Sequence, residues 1–285
     1  MILTGISDEA GKDIHSQIKA HKQLGWQYLE LRLVDGKNVA GELPDEEFSR
    51  LADILEKENM KVTGFASRIA NWSRYIKEDF TQDVEDLKKS IPRMHRLGVK
   101  YIRIMSWKGD GVNETYWQEE AIRRCKELTK IAEDGGIFLC HENCTGWGGL
   151  NAKNMLKMRD SINSKNFLLL YDIGNVVAHG SNVDDFFTTI RNQFSYIHVK
   201  DVKKGPDGEH SDNFTFCGEG DAKIKEILNK VINQDKYDGI ISIEPHVANI
   251  FHKKDGSTAS PEKLFSSYIK YGELLKNIVN EIKIV

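Results

Sequence analysis

FLLLYDIGN, residues 167–175, runs five apolar or aromatic side chains directly into an aspartate and then reaches a glycine. A short apolar run without polar alternation is what a strand buried on both faces requires, and such strands belong to parallel sheets covered by helices. Asp172 stands where that strand gives way to loop. Outward from this stretch the design recurs. FLCHEN (138–143) ends on Glu142, YIHVKD (196–201) carries His198, and GIISIEPH (239–246) carries Glu244. Four acidic or imidazole side chains thus mark the C-terminal tips of four separate runs, and in a closed parallel barrel those tips are where chemistry is done.

Strand and helix signals alternate along all 285 residues, which predicts repeated βα units. Eight strands are expected, at 2–7, 28–32, 61–67, 101–107, 138–143, 167–173, 196–202 and 239–244. The segments between them are amphipathic. Phe48, Leu51, Ala52 and Leu55 repeat at helical spacing, as do Ile224, Ile227, Leu228 and Val231. The expected fold is α/β, a single (β/α)8 TIM barrel occupying 1–285 as one domain, a size usual for barrels of about 250 residues. The loops at 108–113, 145–149 and 203–220 all follow strands, so they should overlie the active face.

Composition narrows the partners. A formal net charge of -3 with acids and bases interspersed offers no electrostatic footprint for nucleic acid. The N-terminus lacks a basic segment followed by an apolar one, and no run reaches the roughly 18 apolar residues of a membrane span. The expectation is a cytoplasmic protein with no membrane partner, acting on a small molecule and compatible with a homo-oligomer. Four cysteines without paired finger spacing read as reduced thiols. Cys140 shares strand parity with Glu142 and should pack inside the barrel.

A lone aspartate after a strand is commonly a helix cap, and a lone histidine a satisfied core or surface group. Four such groups on four apolar runs, where an uncompensated charge would be costly, point instead to one shared site. Alternation along a strand places Glu142 with Cys140, Asp172 with Leu170, His198 with Tyr196 and Lys200, and Glu244 with Ser242. Glu142, Asp172, His198 and Glu244 are therefore assigned as ligands of one divalent ion. Oxygen and imidazole donors without thiolate suit Mn²⁺ first, and also Mg²⁺, Co²⁺ or Zn²⁺. An octahedral ion with these ligands keeps two positions for the adjacent oxygens of a hydroxyketone, whose C–H a neighbouring carboxylate can then take. Arg32, Arg68, Trp72 and Trp107 also fall at or beyond strand ends. Of these, Arg32 and Trp107 are assigned as substrate contacts, together with Asn175, Lys200 and His246.

These residues resemble the sugar phosphate isomerase/epimerase group of the xylose isomerase-like barrel superfamily, which also holds endonuclease IV and inosose dehydratase. The likeness runs through ELR (30–32), HEN (141–143), DIGN (172–175), HVKD (198–201), GEGD (218–221) and SIEP (242–245). It implies that Glu142 and Glu244 double as the acid/base pair of an isomerase or epimerase working through a metal-bound enediolate. The chain departs from tagatose-type epimerases at Asn175 and Gly148, where those carry histidine and an acidic residue, and at Lys204 in place of arginine. Endonuclease IV uses further histidines where this chain has Asn175, Phe214, Ser67 and Trp107. An inosose-dehydratase-like or keto-glycoside lyase is the alternative, with Lys200, Asp201 or His246 as the acid for the leaving oxygen. A sugar-binding barrel without turnover is a third.

Overall fold

The structure, a computed structural model, describes residues 1–248 and 259–284. Eight strands form the barrel: β1 (Ile2–Gly5), β2 (Tyr28–Leu31), β3 (Lys61–Ala66), β4 (Tyr101–Ser106), β5 (Phe138–Gly146), β6 (Phe167–Asp172), β7 (Phe194–Val199) and β8 (Ile240–Ile243). They pair in parallel in the order β1-β8-β7-β6-β5-β4-β3-β2. The seam between β1 and β2 has no continuous ladder. It is drawn together by an Ile6–Glu30 bridge and by two side chains, with Thr4 Oγ1 donating to Tyr28 O at 2.8 Å and Ser7 Oγ to Glu30 O at 3.2 Å. The barrel is nearly closed.

Around it lie α1 (Ile14–Gln23), α2 (Asp45–Lys57), α3 (Thr81–Arg96), α4 (Glu114–Asp134), α5 (Ala152–Ile162), α6 (Ile173–Ala178), α7 (Val183–Ile190), α8 (Ile224–Asn229) and α9 (Pro261–Ile284). In α2 the stripe Phe48, Leu51, Ala52 and Leu55 is the buried face. Ile224, Ile227 and Leu228 are buried in α8, while Val231 falls in a π-helical turn, Lys230–Gln234, that follows it. No helix among the described residues is long and apolar enough to cross a membrane.

Two sets of apolar contacts follow from strand alternation. One side of each strand packs against the helices. The other side builds a small separate cluster of Cys140, Leu170, Tyr196 and Ile240, with Ile2, Tyr101 and Leu168 against it. This is the barrel interior. Glu142, Asp172 and His198 lie two residues beyond Cys140, Leu170 and Tyr196, and Glu244 lies four beyond Ile240, so the apolar plug is the floor beneath the four polar tips.

Most C-terminal strand ends differ from the sequence reading by one or two residues, and two differ by three. Strand β5 continues to Gly146, three residues past the expected end. Strand β7 stops at Val199, and Asp201–Val202 instead pairs antiparallel with Phe214–Thr215, folding the 203–220 stretch into a hairpin over the barrel mouth. Asp201 makes that turn: its carboxylate accepts from the backbone N–H groups of Val202, Gly218, Gly220 and Ala222 at 2.8–3.2 Å. A Cβ on Gly220 would stand 2.2 Å from Asp201 Oδ1, which explains the glycine. Asp201 is thus a loop anchor and does not supply the acid considered for it.

Candidate metal centre and substrate cavity

Glu142, Asp172, His198 and Glu244 converge as the alternation requires. One donor atom from each falls within 4.8 Å of all the others, and all four residues are buried. His198 Nδ1 faces Glu142 Oε1 at 3.3 Å, Glu244 Oε2 at 3.5 Å and Asp172 Oδ2 at 4.0 Å. The local fold of DIGN explains how one aspartate serves two ends. Asp172 Oδ1 caps α6 by accepting from Asn175 N at 2.8 Å, leaving Oδ2 for the cluster. Helix cap and ligand are the same residue, one oxygen for each. HEN has a comparable logic: Asn143 exchanges hydrogen bonds with the Asp172 backbone at 2.6 and 2.8 Å and locks the two ligand strands in register.

The donor set fits a divalent ion. Asp172 Oδ2 and Glu244 Oε2 are buried and accept no hydrogen bond of good geometry, although the Lys200 ammonium stands 3.1 and 2.8 Å from them. An ion pair without alignment leaves lone pairs available to a cation at the centre. The other donor properties agree. His198 Nε2 lies 3.0 Å from both oxygens of Glu30, so that nitrogen carries the proton and Nδ1 is presented to the cluster. Cys144 borders the cavity, but burial, followed by the charge of Glu142, pushes its thiol up to about 12, and no thiolate competes.

Three cations compensate the carboxylates. Arg103 Nη1 donates to Glu142 Oε2 at 2.8 Å and its Nη2 to Ser67 O at 3.0 Å. Arg32 donates to Glu244 Oε1 at 2.9 Å and is itself held by Asp8 at 3.1 Å and Glu9 at 3.3 Å. Lys200 is the third. Burial alone would push Glu142 up, but Arg103 and His198 outweigh it and hold its carboxyl down at about 2. Glu244 is likewise held well below the usual range, with Lys200, His246, His198 and Arg32 overcoming burial. Asp172 goes the other way, to about 7, because burial and the neighbouring Glu142 and Glu244 outweigh Lys200. His198 is raised, with Glu30 leading the carboxylates that overcome its burial.

A cavity of about 630 Å³ opens over this cluster, within the usual ~300–1,000 Å³ of small-molecule sites. Arg32, Asn175, Lys200 and His246 all border it. Asn175 also fixes Glu142, its Nδ2 lying 3.3 Å from Oε1 and 2.9 Å from Asn143 O. His246 donates its backbone N–H to Glu9 Oε2 at 2.7 Å, and its ring Nδ1 lies 2.9 Å from Glu9 Oε1. Trp107, assigned above as a substrate contact, is placed elsewhere. It is 1% exposed, packs in the outer core and donates its indole N–H to Asp83 Oδ2 at 2.8 Å. Its φ of 52° turns the chain at the end of β4 and sends the side chain outward. Trp72 lines the cavity instead.

Sequence reasoning passed over Arg103 and Glu30. Both carried a usable signal: YIRIMS and YLEL each bury one charge in an otherwise apolar run, at the parity of the barrel interior.

A nearly closed parallel barrel with carboxylates and one histidine gathered at the strand ends defines a (β/α)8 protein with a candidate metal site. The family model described as xylose isomerase-like TIM barrel matches residues 18–266, and the chain belongs to that family. Among curated relatives, an inosose dehydratase from Clostridium perfringens is 24% identical over 154 residues, or 48% of this chain. The match spans about half of that relative's length, 51%. Among solved structures, the IOLI protein with a bound zinc atom superposes with a TM-score of 0.74 at 15% identity over 99% of both chains. D-allulose 3-epimerase from Methylomonas sp., in complex with D-allulose, gives 0.72 at 15% identity over 97% of this chain and 96% of that one. These structures show the shared fold.

Proposed function

We propose that this chain is a divalent-metal-dependent sugar isomerase or epimerase that moves a proton on the carbon beside a carbonyl. The observation that carries the reading is the meeting of two glutamates from separate strand ends, Glu142 on β5 and Glu244 just past β8, at 3.3 and 3.5 Å from one histidine nitrogen on the floor of an open cavity. Glu142, Asp172, His198 and Glu244 would hold the ion, Mn²⁺ suiting the donors best. When bound, it would supply a Lewis acid beside the substrate carbonyl.

The protein's own groups set the proton chemistry. Arg103 and Arg32 each engage one oxygen of a glutamate, so both carboxylates rest ionised and the first movement is abstraction from carbon. In an isomerase that carboxyl returns its proton to the adjoining carbon, whereas in an epimerase the other glutamate, having gained a proton from solvent or from its partner, delivers one to the opposite face of the same carbon. A second reading, loss of a β-oxygen substituent, is favoured by one further observation: Lys200 Nζ, 2.8 Å from Glu244, is a proton-bearing cation facing the same cavity and could protonate a leaving oxygen. The inosose dehydratase relative is a lyase of that kind by name. On either reading the chain acts as one unit on a small sugar.

Solvent deuterium exchange separates the two. Mn²⁺-reconstituted protein is incubated in D₂O with ketoses, ketose phosphates, inososes and 3-keto-glycosides, with Glu244→Gln as control. Deuterium in an isomer of unchanged formula is the expected result, whereas loss of water or of an aglycone assigns the lyase. No Mn²⁺ binding at the four residues would sink both readings.

A further inference from the structure

Above the strand ends the cavity changes character. Its floor is charged, formed by Arg32, Arg103, Glu142, Lys200 and Glu244, while loops supply the upper wall: Trp72 and Tyr75 after β3, Lys108 after β4, Phe214 from the hairpin after β7. The β3 loop is tied by hydrogen bonds to Asp83 and to the β4 loop. Ala70 and Trp107, neither of them glycine, have φ of 56° and 52°. Each holds a backbone hydrogen bond: Ala70 N donates to Asp83 Oδ1 at 2.8 Å and Trp107 N to Ala70 O at 2.9 Å. Lys108 N donates to Arg74 O at 3.0 Å and Ile76 N to Lys108 O at 2.9 Å, tying both sides of Tyr75 to the β4 loop. Left-handed non-glycine residues are strained and persist where contacts over-determine them, often at ligand sites. Here the strained, braced backbone brackets Trp72 and Tyr75.

Size adds an independent constraint. A hexose has twelve non-hydrogen atoms, which need less than about 360 Å³ even at the ~30 Å³ that each water takes in the liquid. The cavity holds about 630 Å³. Charge adds another: the rim's Arg68 is paired with Glu42, His210 with Asp212 at 3.2 Å, and Lys108 Nζ is engaged 5.8 Å over the Tyr75 ring. We propose that the upper wall is a second subsite, and that the substrate is a two-ring compound: a keto sugar reacting at Glu142 and Glu244, carrying an uncharged second ring that lies against Trp72 and Tyr75. Indole and phenol faces suit the apolar face of an aryl or sugar ring. This deepens the reading above and rests on it for the reacting ring.

The test uses calorimetry on the full, Mg²⁺-supplemented chain with three probes: methyl β-D-glucoside, cellobiose and 4-nitrophenyl β-D-glucoside. A two-ring probe is expected to bind at least tenfold tighter than the methyl glucoside, and Trp72→Ala and Tyr75→Ala should each remove most of that advantage. Gain with cellobiose assigns a second sugar; gain with the nitrophenyl compound alone assigns an aryl group. The proposal is overturned if no two-ring probe binds at millimolar concentration, if no advantage exists, or if the advantage survives in both variants. It is also overturned if Trp72→Ala weakens all three probes equally, which would put the reacting ring on the wall. Mn²⁺ titration scores the metal reading separately, so its failure leaves a Trp72-dependent preference visible.

Discussion

Glu30→Gln is the sharpest perturbation of the proposed centre, because it changes charge without changing shape. Glu30 is 1% exposed and places both oxygens 3.0 Å from His198 Nε2, while Tyr196 O–H donates to Oε2 at 2.9 Å. A glutamine can still accept from His198 Nε2–H through its amide oxygen, and the Tyr196 hydroxyl, also 3.0 Å from Thr63 Oγ1, can turn to accept from the new amide. The hydrogen bonds survive; the buried negative charge behind the imidazole does not. Carboxylate partners of metal-bound histidines are worth about 10–100-fold in affinity, or roughly 1.4–2.7 kcal/mol. Mn²⁺ affinity, measured by competition with a chelating dye at pH 8, should fall by that factor with the thermal midpoint changed by only a few degrees. A second signature follows from the same geometry. Glu30 also leads the carboxylates that raise the proton affinity of His198, so the variant competes less with protons and its deficit should shrink as pH falls toward 6. Affinity within twofold of wild type in a folded variant would refute the assignment of Glu30 as the partner that orients and charges His198.

Three further outcomes are expected. Glu244→Gln should abolish deuterium exchange with limited loss of Mn²⁺, whereas His198→Ala should lower metal occupancy itself; normal exchange in both ends the site assignment. His21 bridges Tyr28 O at 2.6 Å and the Tyr268 hydroxyl at 2.8 Å, and burial lowers its pKa from 6.5 to about 4. Between those values the unfolded chain binds the extra proton, so this contribution is complete above 6.5 and is lost as pH falls toward 4, by about 2 kcal/mol at pH 5. Urea denaturation of His21→Gln should show a correspondingly shallower loss between pH 8 and 5, and an unchanged slope contradicts it. Trp107→Phe removes the indole donor from buried Asp83 and should destabilise the fold by about 1–3 kcal/mol while leaving Mn²⁺ affinity within twofold. Weakened probe binding without loss of stability would return Trp107 to the substrate.

What could be read from sequence was whatever strand alternation controls. The partners of the four ligands, Cys140, Leu170 and Tyr196 among them, do form the inner plug, because a two-residue period leaves no choice of face once one residue is placed inside. Trp107 was misplaced for a related reason. Alternation stops where φ becomes positive, and nothing in SWKG announces a left-handed tryptophan. The pairing of the cations with the carboxylates was hidden by distance along the chain. Arg32 meets Glu244 across 212 residues and Arg103 meets Glu142 across 39, and no local pattern pairs them.

Those long-range pairs have a consequence for how the site divides its labour. Each glutamate has two oxygens, and each is split between the cluster and an arginine: Oε1 of Glu142 faces His198 while Oε2 takes Arg103, and Oε2 of Glu244 faces His198 while Oε1 takes Arg32. A carboxylate in that position is a rigid ligand but a weakened base, since the arginine stabilises its ionised form. Taking a proton from carbon must therefore loosen one arginine contact or be compensated by charge developing elsewhere. Arg32 is shared with Asp8 and Glu9, so it has carboxylates to fall back on when Glu244 is protonated. Among the described residues Arg103 otherwise donates only to the backbone carbonyl of Ser67, so protonating Glu142 would leave that buried guanidinium without a directly bonded carboxylate, Glu244 acting on it only from further off. On the proposed reaction, the asymmetry favours Glu244 as the carboxylate that first takes the proton and Glu142 as the steadier ligand.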